Sequence, residues 1–371
     1  MTEHVAVRPE ADPSIMTPLE EHEELRGVVR HLLEKDADHE AVRRAVEQPR
    51  GWSEDLWQRL NRELDLGSMI VPESLGGAGF GLRDLAVVLE ETGGALLSEP
   101  VLESSVLVPL ALALADDSDA VADLLADVAS GRLVGTVAFD SALTVEDGRV
   151  RGSVRRVVAG AESDLVIAHC AEGIVAVRLG GEENAAADGV SIRPLEVIDP
   201  TRRQADLELD GAAATILVGP DRADAVWAQV SRAAAIAVAA EHVGIIRRQL
   251  DATVEYVTQR EQFGRPIGSF QAIKHRLADV LVDLERSRSA VDYAAALFDE
   301  DPEAELAAEV AGAVVTDAAM RTVHEAVQLS GGIGFTWEHP AHFYLKRVLG
   351  DEGLFGTARG HRNRVADLIG I

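Results

Sequence analysis

One cysteine, Cys170, is all that the 371 residues contain. It excludes an intrachain disulfide and a cysteine-cluster metal site, and it fits a reducing compartment. The residue itself reads as a small buried hydrophobe. Positive charge is also scarce: 35 Lys and Arg stand against 63 Asp and Glu, a formal net charge of −28. Such a chain is repelled by nucleic acid and by anionic membrane, so neither is expected as a partner. Long apolar runs are missing as well. The longest, at 106–115 and 233–240, fall short of the ~18–20 residues that span a bilayer. Residues 1–18 have neither the apolar segment of a secretory signal nor the arginines of a transit peptide, and read as a frayed tail. A cytoplasmic location is expected. No HExxH or close His pair suggests a metal. The glycines at 76–81 and 331–334 lack the strand-turn-helix context of a phosphate-binding or dinucleotide motif.

What is present is globular composition, 47% hydrophobic and 26% charged, on a chain long enough for two or three units. From 20 to about 128 the periodicity is helical, with Leu25, Val28, Val29, Leu32 and Leu33 spaced to line one face. A second helical unit runs over 53–64, and helical periodicity returns at 82–97 and 101–129. Between them, Val71-Pro72-Glu73-Ser74-Leu75-Gly76-Gly77-Ala78-Gly79-Phe80-Gly81 makes a long turn. After Gly131 the segments 133–139, 150–158, 165–169, 174–179, 190–194 and 205–209 are short and rich in Val and Ile. They read as antiparallel strands. Beyond Gly219-Pro220 helices are expected at 222–259, 270–298, 302–330 and 339–348, the third started by Asp301-Pro302. The fold class is therefore α+β: a helical domain (1–130), an antiparallel β-domain (131–219) and a C-terminal four-helix bundle (220–371). The apolar face at 233–240 implies burial between subunits.

Two segments carry the chemical information. Arg260-Glu261-Gln262-Phe263-Gly264-Arg265-Pro266-Ile267-Gly268-Ser269-Phe270-Gln271 joins two long helices with Arg and Gln donors beside exposed backbone N–H groups, a composition suited to a pyrophosphate. Taken alone, a basic interhelical loop also fits solvated surface. Gln328-Leu329-Ser330-Gly331-Gly332-Ile333-Gly334-Phe335 follows a long helix with three glycines, which permit close approach to a flat or charged ligand and equally suit a glycine C-cap and turn.

Together the two segments, with the P-E-x-x-G-G-x-G pattern at 72–79, resemble the acyl-CoA dehydrogenase family of flavoproteins over nearly the whole chain. The resemblance implies an acyl-CoA dehydrogenase-like fold and FAD shared across a subunit interface. It assigns contacts on the pyrophosphate and adenosine side to Arg260, Gln262, Phe263, Gln271, Gln328, Gly331 and Gly332. It also implies α,β-dehydrogenation of an acyl-CoA thioester by a carboxylate base and flavin, with an electron-transfer flavoprotein as acceptor.

The chain departs from the family where the chemistry happens. The usual base is the glutamate of a Y-E-G-T run; here the run is Leu354-Phe355-Gly356-Thr357, so Phe355 stands in its place. The alternative base position on the first bundle helix aligns with Ala234. The nearest acid is Glu241, two turns along that helix; His242 beside it reads as an interior histidine. The flavin-facing loops are altered too. Ala138-Phe139-Asp140-Ser141-Ala142 and Val157-Val158-Ala159-Gly160-Ala161 replace the family's T-E-P and W-I-T segments. These departures resemble the non-catalytic chain of heterotetrameric α2β2 acyl-CoA dehydrogenases, some of which act on bulky steroid side-chain CoA thioesters. Two other readings remain open on the residues: a homo-oligomeric dehydrogenase using Glu241 as base, and a flavin-free scaffold or CoA-ester binding protein of the same fold.

Overall fold

The computed structural model describes residues 13–17, 19–180, 186–299, 303–337 and 339–371. Most of the expected frayed tail and the expected Asp301-Pro302 helix start lie outside the described residues. Helices α1 (Glu20–Asp36), α2 (His39–Val46), α3 (Glu54–Leu64), α4 (Leu82–Gly94), α5 (Val108–Ala113) and α6 (Asp119–Ala129) form the first layer. Caps explain several of their starts: Asp38 and Ser118 accept the backbone N–H of Ala41 and Val121. The α1 stripe buries Val29, Leu32 and Leu33, whereas Val28 falls off it and is 55% exposed. The single helix expected over 101–129 is divided, because a π-helical stretch at Leu102–Leu107 precedes α5 and Pro109 sits in the first turn of α5.

The middle sheet has seven strands: β1 (Gly135–Ala138), β2 (Ser141–Glu146), β3 (Arg149–Val158), β4 (Leu165–Cys170), β5 (Gly173–Arg178), β6 (Val190–Pro194) and β7 (Gln204–Val218). Their order is β1-β4-β5-β7-β3-β2, with β6 also on β7. The expectation of six antiparallel strands needs two corrections: β2 is a seventh strand that was not among them, and β1 and β4 run parallel, Gly135 opposite Leu165. The β2–β3 hairpin, closed by Asp147-Gly148 at positive φ, lies between them in sequence, so the chain re-enters in its original direction. On β4, Leu165 and Ile167 face the helical core while Val166 and Ala168 face the sheet's own core. Burial on both faces makes this strand read as a continuous apolar run. Cys170 is buried, as expected.

Helices α7 (Pro220–Gln259), α8 (Gln271–Ala296), α9 (Glu303–Ser330), α10 (Ala341–Phe355) and α11 (Ala358–Leu368) complete the chain. The expected bundle is present, with α11 added. That helix buries only Ala358 and His361, so it carries no apolar period to read. The burial expected between subunits at 233–240 is met inside this chain: Ala233, Ile236, Ala237 and Ala240 are at most 1% exposed. Their helix packs against α4 and α9. Backbones come into contact at the α4–α7 crossing, where a Cβ on Gly244 would stand 1.8 Å from the Glu90 carbonyl oxygen. A Cβ on Gly93 would stand 2.3 Å from the Glu241 carbonyl oxygen. Among the described residues no helix is long and apolar enough to cross a membrane.

Gly244→Ala is expected to destabilise the fold by roughly 3 kcal/mol, the upper end for overpacking. Gly27→Ala, in α1 with nothing within 4 Å of the added methyl, should instead add up to about 1 kcal/mol. Urea midpoints of the two variants check the contrast.

Candidate functional site

Helix α7 closes at Gln259, and the chain turns back through a short hairpin, β8 (Glu261–Gln262) and β9 (Arg265–Pro266), before α8 begins. The two-residue loop is Phe263-Gly264, at φ 53° and 76°. Positive φ at both positions is a type I′ geometry that favours Asn-Gly; a phenylalanine there is strained. Its ring is 91% exposed. Facing the hairpin is the end of α9 with its 3-10 turn Gly331–Phe335, and Tyr256 Oη donates to the Ser330 carbonyl at 3.3 Å, tying the two segments together. Between them lies an open groove of about 720 Å³, lined by Arg260, Gln262, Phe263, Gln328, Gly331 and Gly332. Six of the seven residues expected at the cofactor thus share one groove, while Gln271 stands at the start of α8, outside the lining. Gly331 has φ 62°, which accounts for its identity by conformation alone.

The donor chemistry of the groove fits a pyrophosphate. Of the two arginines that line it, Arg276 pairs with Glu325 at 3.1 Å, whereas Arg260 makes no ion pair among the described residues. Beside the groove, Arg265 lies over the Phe270 ring, 4.0 Å from its centroid. An unneutralised guanidinium, amide side chains and an exposed aromatic ring together suit a ligand with a diphosphate and a flat base.

The two positions at which the family places its base come together on one cavity of about 410 Å³, where Ala234 on α7 and Phe355 on α10 both reach the wall. Neither can accept a proton. Glu309, which sequence reasoning missed, lines the same cavity. His361 Nδ1 lies 2.7 Å from its Oε2, and Arg364 Nε donates to its Oε1 at 2.7 Å. Burial opposes ionisation there, but hydrogen bonds from His361 and Arg364 prevail and hold the carboxyl below its usual range, which makes it a weak base. No sequence signal marked this cluster, because α11 has no periodicity to place His361 against α9.

Glu241 is buried and already engaged. Its Oε2 accepts from Arg202 Nη2 at 2.6 Å, and Arg202 Nη1 donates to Asp351 Oδ1 at 2.6 Å. The second Asp351 oxygen meets His242 Nε2 at 3.0 Å, so His242 is the interior histidine expected. Burial works against a charged Asp351, yet Arg202 and then His242 hold its carboxyl well below the usual range. The Arg202 guanidinium also lies 5.8 Å from the centroid of the Phe355 ring. Next to it, Arg347 Nε pairs with Asp199 at 2.8 Å. A charged network therefore fills the interior behind Phe355.

Between the altered β-loops and Phe355 there is a slot of about 30 Å³, lined by Ala138, Phe139, Asp140, Arg156, Val158 and Phe355 among others. That is room for a water or two. Arg156, at φ 50° in a bulge of β3, spans part of it: Nη2 donates to Asp140 Oδ2 and Nη1 to the Gly353 carbonyl, each at 3.2 Å.

Arg202→Met should leave two buried carboxylates uncompensated and cost about 3–5 kcal/mol. Adding Glu241→Gln and Asp351→Asn should restore a large part of that loss, as read from urea denaturation of the single and triple variants.

Known proteins match this chain along its length. The family described as acyl-CoA dehydrogenase, N-terminal domain, matches residues 19–131, and acyl-CoA dehydrogenase, C-terminal domain, matches 229–370. Acyl-CoA dehydrogenase IpdE2 of Mycobacterium tuberculosis is 36% identical over 93% of this chain and 96% of its own. Among solved structures, a variant of the Tcur3481-Tcur3483 steroid ACAD superposes with a TM-score of 0.84 at 29% identity, over 95% of this chain and 98% of that one. The ChsE4-ChsE5 complex from Mycobacterium tuberculosis does so with a TM-score of 0.83 at 29% identity, over 96% and 98%. With both family domains matched and a relative of this identity covering almost all of it, the chain belongs to the acyl-CoA dehydrogenase family.

Proposed function

We propose that this protein is the non-catalytic chain of a two-chain, FAD-dependent acyl-CoA dehydrogenase. It completes the nucleotide side of a cofactor whose ring lies in a partner chain. The observation that carries this reading is a contrast in space. The outward groove at Arg260, Gln262, Phe263, Gln328, Gly331 and Gly332 has about 720 Å³, whereas the slot beside Phe355 has about 30 Å³ and is spanned in part by Arg156. A three-ring flavin does not enter the slot. The groove is open to a cofactor presented from outside.

FAD, when bound, supplies the acceptor for the electrons removed from the substrate. This chain's residues do the holding: Arg260 neutralises the pyrophosphate, Gln262 and Gln328 donate hydrogen bonds, Phe263 offers a stacking face, and Gln271 stands at the edge of the groove. The proton acceptor belongs to the partner, since Phe355 and Ala234 are apolar and Glu241 is committed to Arg202. The substrate is an acyl-CoA thioester; the steroid class draws support from the steroid ACAD among the structural relatives, and the paired names of both solved complexes support a hetero-oligomer. An electron-transfer flavoprotein is the acceptor the family resemblance favours.

Purified alone, the chain should be colourless; co-expressed with its partner dehydrogenase chain, the complex should carry one flavin for every two chains and oxidise acyl-CoA. A yellow, active preparation of the lone chain sinks the proposal. Phe263→Gly separates fold from binding. Relieving the positive φ should stabilise the chain by about 1 kcal/mol, while the complex loses flavin more readily on gel filtration.

A further inference from the structure

A second polar cavity, unrelated to the groove, lies where all three parts of the chain meet. Its walls include Trp52 and Glu99 from the first helical layer, Glu162 and Arg202 from the sheet region, and Arg347 from α10. Its volume is about 20 Å³, enough for one water molecule. The lining is unusual in its unmet polar atoms. Arg347 is 1% exposed and spends Nε on Asp199 and Nη2 on Leu97 O and on Thr201, but its Nη1 has no partner among the described residues. Glu103 is 4% exposed and its Oε1 has none either. Trp52 Nε1, Ser98 Oγ and Glu162 Oε2 also line the space unpartnered. Donors and acceptors left over around one small void are each costly to bury bare, and a bridging molecule removes that cost.

Glu103 sits in the π-helical stretch, and with Val158 it lines both this void and the slot beside Phe355. Burial raises the proton affinity of its carboxyl, opposed by Arg202 and Arg347. Glu99, across the cavity, accepts the Ser53 N–H at 2.9 Å and is pushed up to about 7 by burial.

We propose that this cavity is a built hydration site, in which one ordered water accepts from Arg347 Nη1 and donates to Glu103 Oε1, joining α10 to the π-helical stretch. The water is part of the fold's polar framework and completes the Arg347 donor set that the protein leaves open. The inference rests on the cavity and its unpartnered atoms, so it stands whether or not the flavin reading does.

A crystal structure of the protein at about 1.5 Å tests it directly. A well-ordered water within hydrogen-bonding distance of both atoms is the expected result; a dry cavity, or Arg347 bonded straight to Glu103, overturns the proposal. A second measurement uses variants. Glu103→Gln preserves the acceptor and should keep Tm within about 2 °C of the parent. Glu103→Leu removes it, should expel the water and should lower Tm by roughly 3–6 °C. A Leu variant as stable as the parent overturns the proposal as well.

Discussion

Arg202 is the fixed point of this molecule. It leaves the sheet region just before β7 and is neutralised by a carboxylate on α7 and another on α10, so one guanidinium ties the β-domain to two bundle helices. A buried arginine is tolerable only if every charge around it is matched, and the matching here is dense: Asp351 is shared with His242, and Arg347 is balanced by Asp199 next door. The cost of breaking such a set fixes the relative placement of the three parts of the chain. It also commits Glu241, the acid two turns along α7 from Ala234, to an ion pair.

The rest of the site follows from that filling. With charge packed behind Phe355, and Arg156 bonded to the loop in front, the slot between the β-loops and Phe355 has no room for a ring system. A cavity of about 410 Å³ remains beside Ala234 and Phe355, and the larger groove lies where the α7–α8 hairpin faces the end of α9. Arg260, without a carboxylate partner among the described residues of so acidic a chain, marks that groove electrostatically. The strained Phe263 marks it conformationally, because a ring held at positive φ and left 91% exposed has only an edge-to-face contact with Phe270, 6.1 Å between centroids, to offset the strain.

How much could be read in advance depended on how local each signal was. Most of the helix and strand order was legible because periodicity and turn residues act over a few neighbours: the glycine turn after Val71 and the Gly219-Pro220 start of α7 work within their own segment, whereas β2 (Ser141–Glu146) was not read as a strand. The groove was legible for the same reason, since its donors cluster in two short runs. Helix α11 escaped because its contact with α9 runs through His361 rather than through an apolar stripe. The parallel pairing of β1 with β4 escaped because register between strands is decided by the returning chain, not by either strand.

The amino-acid sequence by itself determined the succession of helical, sheet and helical segments, the apolar residues at Phe355 and Ala234, and the grouping of donors in two short runs. These are properties of residue identity and short-range spacing. Only the tertiary structure decided that Glu241 is spoken for, that the apolar face of α7 is covered from within, and that the slot beside Phe355 holds only about 30 Å³. Each depends on a partner brought from a distant part of the chain, and the energy of a buried charge or a backbone contact exists only once that partner has arrived.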